Sequence, residues 1–102
     1  MNEVRLSGTV KHDITMREGA KAIGFTLEVE DDGYVSFIDC TAVSGTQAFD
    51  ALEGFANKGE RMTLTGRLRR RTVSAEQFVG GARVTVKNTT TIVEAEEIEM
   101  ED

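Results

Sequence analysis

The stretch IGFTLEVEDDGYVSFIDCTAV, residues 23–43, decides the fold of this chain. Ile23, Phe25, Leu27 and Val29 alternate with Gly24, Thr26, Glu28 and Glu30, which is the period of a strand with one buried face. Asp31-Asp32-Gly33-Tyr34 then supplies turn chemistry, because glycine accepts the positive φ that a tight hairpin needs. A returning strand follows from about Val35 to Val43, with Ile38, Cys40 and Ala42 on one face and Val35, Phe37, Thr41 and Val43 on the other.

The same alternation appears upstream, where Val4, Leu6, Gly8 and Val10 mark a first strand. Downstream, between Thr46 and Lys58, the period changes: Ala48, Phe49, Leu52, Phe55 and Ala56 fall on one side of a helix, with Ser44 or Thr46 as cap and Gly59 as stop. Met62, Leu64, Gly66 and Leu68 restore the two-residue period, opposite a face made of Arg61, Thr63, Thr65, Arg67, Arg69 and Arg71. Ser74 to Asn88, with Gly80-Gly81 and the short alternation Val84, Val86, reads as a long hairpin-like connection. A last strand spans about Thr89 to Ala95. The connections are mostly too short for parallel crossovers, so the expected fold is all-β: a five-stranded antiparallel Greek-key barrel with one helix between strands 3 and 4. Residues 1–95 form this domain, and 96–102 a short acidic C-terminal end.

A chain of 102 residues with 39% hydrophobic content buries one modest core, and docking against copies of itself would add buried area. The net charge is −6, but Glu94, Glu96, Glu97, Glu99, Glu101 and Asp102 are six of the 18 acids, leaving 12 acids to balance 12 Lys and Arg. The body is neutral and the end acidic: either a solubilising tail or a segment that docks on its own barrel and competes with phosphate. Cys40 has no partner for an intramolecular disulfide, the amino terminus carries no apolar signal segment, and no run suits a membrane-spanning helix, so a cytoplasmic location is expected. One histidine, His12, no phosphate-cradling glycine loop and no His/Cys cluster at metal spacing predict a protein without enzyme activity or cofactor.

Arg67, Arg69 and Arg71 project from one strand face at intervals of about 6.6 Å, a spacing that suits an extended phosphate backbone, and guanidinium planes also stack on bases. Phe37, opposite the core face of its strand, calls for a partner, either stacked bases or a second subunit. Tyr34 at the hairpin tip would stack likewise or serve only the turn. Lys11, Arg17, Lys21, Lys58, Arg83 and Lys87 would extend the electropositive track, whereas Glu3, Asp13 and Asp39 have to lie away from any phosphate path or weaken it.

The segments MNEVRLSG (1–8), FIDCTAV (37–43), NKGE (57–60), TGRLRRR (65–71) and TTTIVEAEEIEM (89–100) resemble, in order and spacing, the bacterial single-stranded DNA-binding protein family. The resemblance implies an OB fold, a homodimer or homotetramer, and sequence-nonspecific binding of single-stranded DNA in replication, recombination or repair. By position it makes Phe37 a stacking aromatic, Arg17, Lys58, Arg69 and Arg71 backbone contacts, and Tyr34 a looser match to a hairpin aromatic. Two further stacking positions fall on Val43 and Val73, which lack rings, so a reduced affinity or site size is expected. The family's flexible tail that recruits repair enzymes has no counterpart in these residues. LSGTV (6–10) and AEEIE (95–99) are also similar to the primosomal replication protein N family, which implies the same ligand within a replication-restart complex. An OB barrel turned protein-interaction module, with weak or no DNA binding, is the alternative, and an RNA ligand a third reading.

Overall fold

The structure is a computed structural model that describes residues 2–15, 18–54 and 57–101. The elements follow as β1 (Val4–Val10), β2 (Ala22–Asp31), β3 (Tyr34–Val43), α1 (Gln47–Gly54), β4 (Arg61–Val79) and β5 (Ala82–Met100). The five strands close into a barrel in the order β1-β2-β3-β5-β4, the all-β architecture expected from the alternation.

Alternation decides what is buried. Ile23, Phe25 and Leu27 of β2, Cys40 and Ala42 of β3, and Met62 and Leu64 of β4 fill the interior with Val10, Val93, Ala95 and Ile98. Helix α1 plugs one end with Ala48, Phe49 and Leu52. Thr46 caps the helix, its hydroxyl accepting a bond from the Phe49 N–H at 3.2 Å. Phe55 and Ala56, expected on the same helix face, lie outside the described residues. Gln47 then ties the helix to the sheet: its amide donates to the Ile98 carbonyl at 3.1 Å and accepts from the Ile98 N–H at 2.7 Å, as a strand neighbour would.

One pairing departs from the antiparallel expectation. Over Cys40–Ala42 and Val93–Ala95, β3 and β5 run parallel. The segment between them holds α1 and β4, long enough for a parallel crossover.

Strands β4 and β5 are far longer than the sequence reading placed them, 19 residues each. The expected loop of Ser74 to Asn88 is paired throughout, from Ser74 with Lys87 out to Val79 with Ala82. Gly80 and Gly81, at φ 59° and 84°, make the two-residue turn that permits this. The segment has no core to face, so only Val84 and Val86 betrayed its period. Leu68, expected inside, is 49% exposed because the ribbon is already leaving the barrel there. On one ribbon face Val73, Ala75, Val79, Ala82, Val84 and Val86 form an apolar strip interrupted by Gln77, while Phe78 lies on the other face beneath Arg83.

The acidic end is strand as well. Ile98 is buried, β5 runs unbroken past residue 95 to Met100, and Glu101 continues the contact through its N–H to the Arg61 carbonyl. The Glu101 carboxylate takes the Thr63 hydroxyl at 2.8 Å and Arg61 at 3.2 Å, and these two bonds hold it below the usual carboxylate range.

A β-bulge makes this possible. Thr65 pairs with Glu97 but Gly66 pairs with Ala95, so Glu96 has no partner on β4. Ala95 and Ile98 are three apart and would face opposite sides of a regular strand; the extra residue turns both inward. Gly66 sits where the strands cross, and a Cβ there would run into the Glu94 carbonyl. Gly66→Ala is therefore expected to cost about 1–3 kcal/mol, the range of overpacked core sites, as a lowered urea midpoint with unchanged m-value.

Candidate nucleic-acid interface

The outer face of the β2–β3 hairpin carries the side chains that alternation keeps out of the core: Thr26 across from Asp39 and Glu28 across from Phe37. Phe37 is 54% exposed. Strand β1 ends at Val10, inside the core, so the next residue, Lys11, turns outward; its Nζ stands 3.6 Å from the Phe37 ring centroid. A shallow groove of about 300 Å³ joins Lys11, His12, Glu28, Phe37 and Lys58. Lys58 is fixed beside it because its N–H donates to Asp13 Oδ1 at 2.7 Å, which ties the β1–β2 loop to the segment after α1.

His12 also borders a second groove of about 310 Å³, with Asp13, Thr26, Asp39 and Arg71. His12 lines both grooves, and Phe37 and Asp39 share one face of β3, so the groove of Lys11, Phe37 and Lys58 adjoins the one that Arg71 reaches. Asp13 and Asp39, which a phosphate path should avoid, line it too. Each is engaged: Asp13 by the Lys58 N–H, and Asp39 by the Thr26 hydroxyl at 3.0 Å. Cys40 borders the same groove, but burial, then neighbouring Asp39, pushes its thiol up to about 12, so it is a packing residue and not a nucleophile. A roomier groove of about 580 Å³ lies elsewhere and sets Glu97 and Glu99 against the single base Arg5, the wrong balance for a phosphate.

The arginine ladder is not uniform. Arg67 and Arg69 flank Glu94, whose Oε2 takes Arg69 Nη1 at 2.6 Å and whose Oε1 stands 3.5 Å from Arg67 Nη2. Glu96, the bulged residue, adds a contact to Arg67 at 4.0 Å. Arg71 has no ion pair among the described residues and reaches the groove beside Asp39. Tyr34, 79% exposed, lies on the opposite side of the β2–β3 hairpin from Phe37 by strand alternation and does not join the surface. Asp32 and Gly33, both at positive φ, make the tight turn next to it. Val43 and Val73 stand apart from the grooves around Phe37. Arg17 lies outside the described residues.

The alternation that buries Val10 already sends Lys11, one of six bases expected to extend the electropositive track, to the Phe37 side, whereas no sequence signal places His12 there. Glu94 read as one of six tail acids; the odd spacing of Ala95 and Ile98 was the signal that a bulge would set it among the arginines.

Comparison by sequence finds neither a family model nor a curated protein that matches. By structure the chain is similar to the mitochondrial single-stranded DNA-binding protein Rim1 of Saccharomyces cerevisiae, with a TM-score of 0.68, 13% identity, and 96% of this chain and 92% of that one covered. It is also similar to a Plasmodium falciparum SSB in complex with ssDNA, with a TM-score of 0.67, 16% identity, and 100% and 96% covered. The fold is thus the OB barrel of these proteins. Among the described residues no helix is long and apolar enough to cross a membrane.

Bonding to Arg69, above all, holds the Glu94 carboxyl below its ordinary value against the opposing effect of burial. A depressed folded-state pKa adds stability above the unfolded value of about 4.3, and that contribution is lost as pH falls through the folded value. Glu94→Gln is accordingly expected to lose less stability than wild type between pH 7 and pH 3, measured by urea unfolding at each pH.

Proposed function

We propose that this chain binds single-stranded DNA without sequence preference and without catalysis, on the surface where Phe37 meets Lys11, Lys58 and Arg71. The observation that carries this reading is the half-exposed Phe37 ring held under Lys11 in a groove that includes Lys58, next to a second groove that Arg71 lines. A ring on an open sheet face stacks on any base, and cations on either side of it meet the phosphates that follow. The two structural relatives, both described as single-stranded DNA-binding proteins, support the same ligand. Arg71 is the primary backbone contact of the ladder, Arg67 and Arg69 are secondary ones, and Arg17 joins them by the family resemblance. Tyr34 contributes only if a longer strand wraps the hairpin tip.

Such a protein serves replication, recombination or repair in the cytoplasm, with replication or repair proteins as further partners. The net charge of −6 and the acids Glu28, Asp13 and Asp39 along the grooves favour a second reading, an OB barrel that binds a protein in a replication-restart complex. Titration of a labelled oligo-dT of about 35 nucleotides by fluorescence anisotropy separates the two. The DNA reading expects binding that weakens with salt, a loss of about 1–3 kcal/mol for Phe37→Ala, and a salt slope reduced by about 0.7 for Arg71→Gln. Absence of binding at low salt would favour the protein-interaction reading.

The reading includes self-association. A lone two-stranded ribbon is marginal in water, and the apolar strip of the β4–β5 arm leaves Val73, Val79 and Val84 exposed at 50%, 60% and 40%. A second copy laid on that strip gives the dimer from which a tetramer is built. In sedimentation, wild type is expected as a dimer or larger and Val79→Lys/Val84→Lys shifted toward monomer; a monomeric wild type would contradict the assembly.

A further inference from the structure

We infer that Glu94 is an internal counterion that competes with DNA phosphate for Arg67 and Arg69 and thereby limits the affinity and salt response of the binding surface. The inference rests on the single-stranded DNA reading and goes beyond it, assigning a function to an acid where that reading invokes only bases.

Its position is built, not incidental. Glu94 lies on β5 between Thr41 of β3 and Arg67 of β4, and at 8% exposure it is the only buried charged residue among those described. Burying a carboxylate is costly unless it is paired, and here each oxygen has its own guanidinium, Oε1 facing Arg67 and Oε2 facing Arg69. A backbone phosphate presents two oxygens to neighbouring cations in the same manner. The ladder is therefore already occupied, at its barrel end, by a group that imitates the ligand.

The arginines are not consumed. Their side chains remain 52% and 57% exposed, and a guanidinium carries five N–H donors of which Glu94 takes a minority. A DNA strand can share them but cannot withdraw them, because that would strand a buried carboxylate without partners. Counterion release, the main source of affinity for nucleic acid, is correspondingly small at these two positions, since their counterion is part of the protein. Arg71, two residues further along the same face, carries no such partner among the described residues, so the ladder is graded from a neutralised pair to one open charge beside the Phe37 surface. Glu96, at 4.0 Å from Arg67, adds a weaker, exposed contribution of the same sign.

The test is anisotropy titration with labelled oligo-dT across a salt series, comparing wild type, Glu94→Gln, Glu96→Gln and Glu53→Gln. The last makes the same change of net charge from an exposed position on helix α1. Glu94→Gln is expected to bind about tenfold more tightly at low salt, with a slope steeper by about 0.7 for each arginine released. Glu96→Gln, which leaves the buried site intact, is expected to gain less than about threefold, and Glu53→Gln nothing. If wild type binds but Glu94→Gln binds equally or more weakly, or Glu53→Gln gains as much, the inference fails while the DNA reading stands. If Glu94→Gln does not fold, Glu96→Gln decides: no gain over Glu53→Gln overturns the proposal. Binding by Glu94→Gln alone supports it, and binding by no folded variant overturns it together with the reading it rests on.

Discussion

The bulge that leaves Glu96 without a partner on β4 is the constraint on which the rest of this structure depends. It resolves a conflict between a strand's two-residue period and the need to bury both Ala95 and Ile98. In doing so it carries β5 past the barrel crossing at Gly66, lets the helix bond Ile98 through Gln47, and sets Glu94 on the outer face between Arg67 and Arg69. Core packing and surface electrostatics are two consequences of one extra residue.

The outer face follows from the same alternation. Inward residues send their neighbours outward: Val10 is followed by Lys11, the partly buried Ile38 is preceded by Phe37, and Gly66 is followed by Arg67. The surface around Phe37 is thus assembled from four separated segments, the β1–β2 loop, β3, the turn before β4 and β4 itself, with the Lys58–Asp13 bond holding the β1–β2 loop against the turn before β4. A partly neutralised ladder, one ring beside the two grooves and valines at 43 and 73 make the proposed binding surface a modest one. Acids of the protein itself already hold part of its charge.

The barrel was legible because its core strands face two ways. In β2, β3 and the first half of β4, one face is buried and the other wet, so burial writes its period into the residues. The arm was not legible, since Val73 to Val86 has no core on either side and its pairing depends on a two-glycine turn and the ladder alone. The parallel β3–β5 contact was missed because local connection lengths say nothing about a strand that returns after a helix and another strand. The outward placement of Phe37 and Arg71 was legible from their strand faces. Glu94 was hidden by its acidic neighbours, which made a built position look like a tail.

The proposed DNA path crosses the surface of Phe37, Lys11, Lys58 and Arg71. Backbone amide shift mapping during titration with unlabelled oligo-dT tests it most directly. The account predicts saturable shifts concentrated at residues 11–13, 26, 37–39, 58 and 69–73, with the α1 face and the groove at Glu97 and Glu99 unchanged. Shifts confined to that acidic groove or to the helix, or none at any residue, would contradict it.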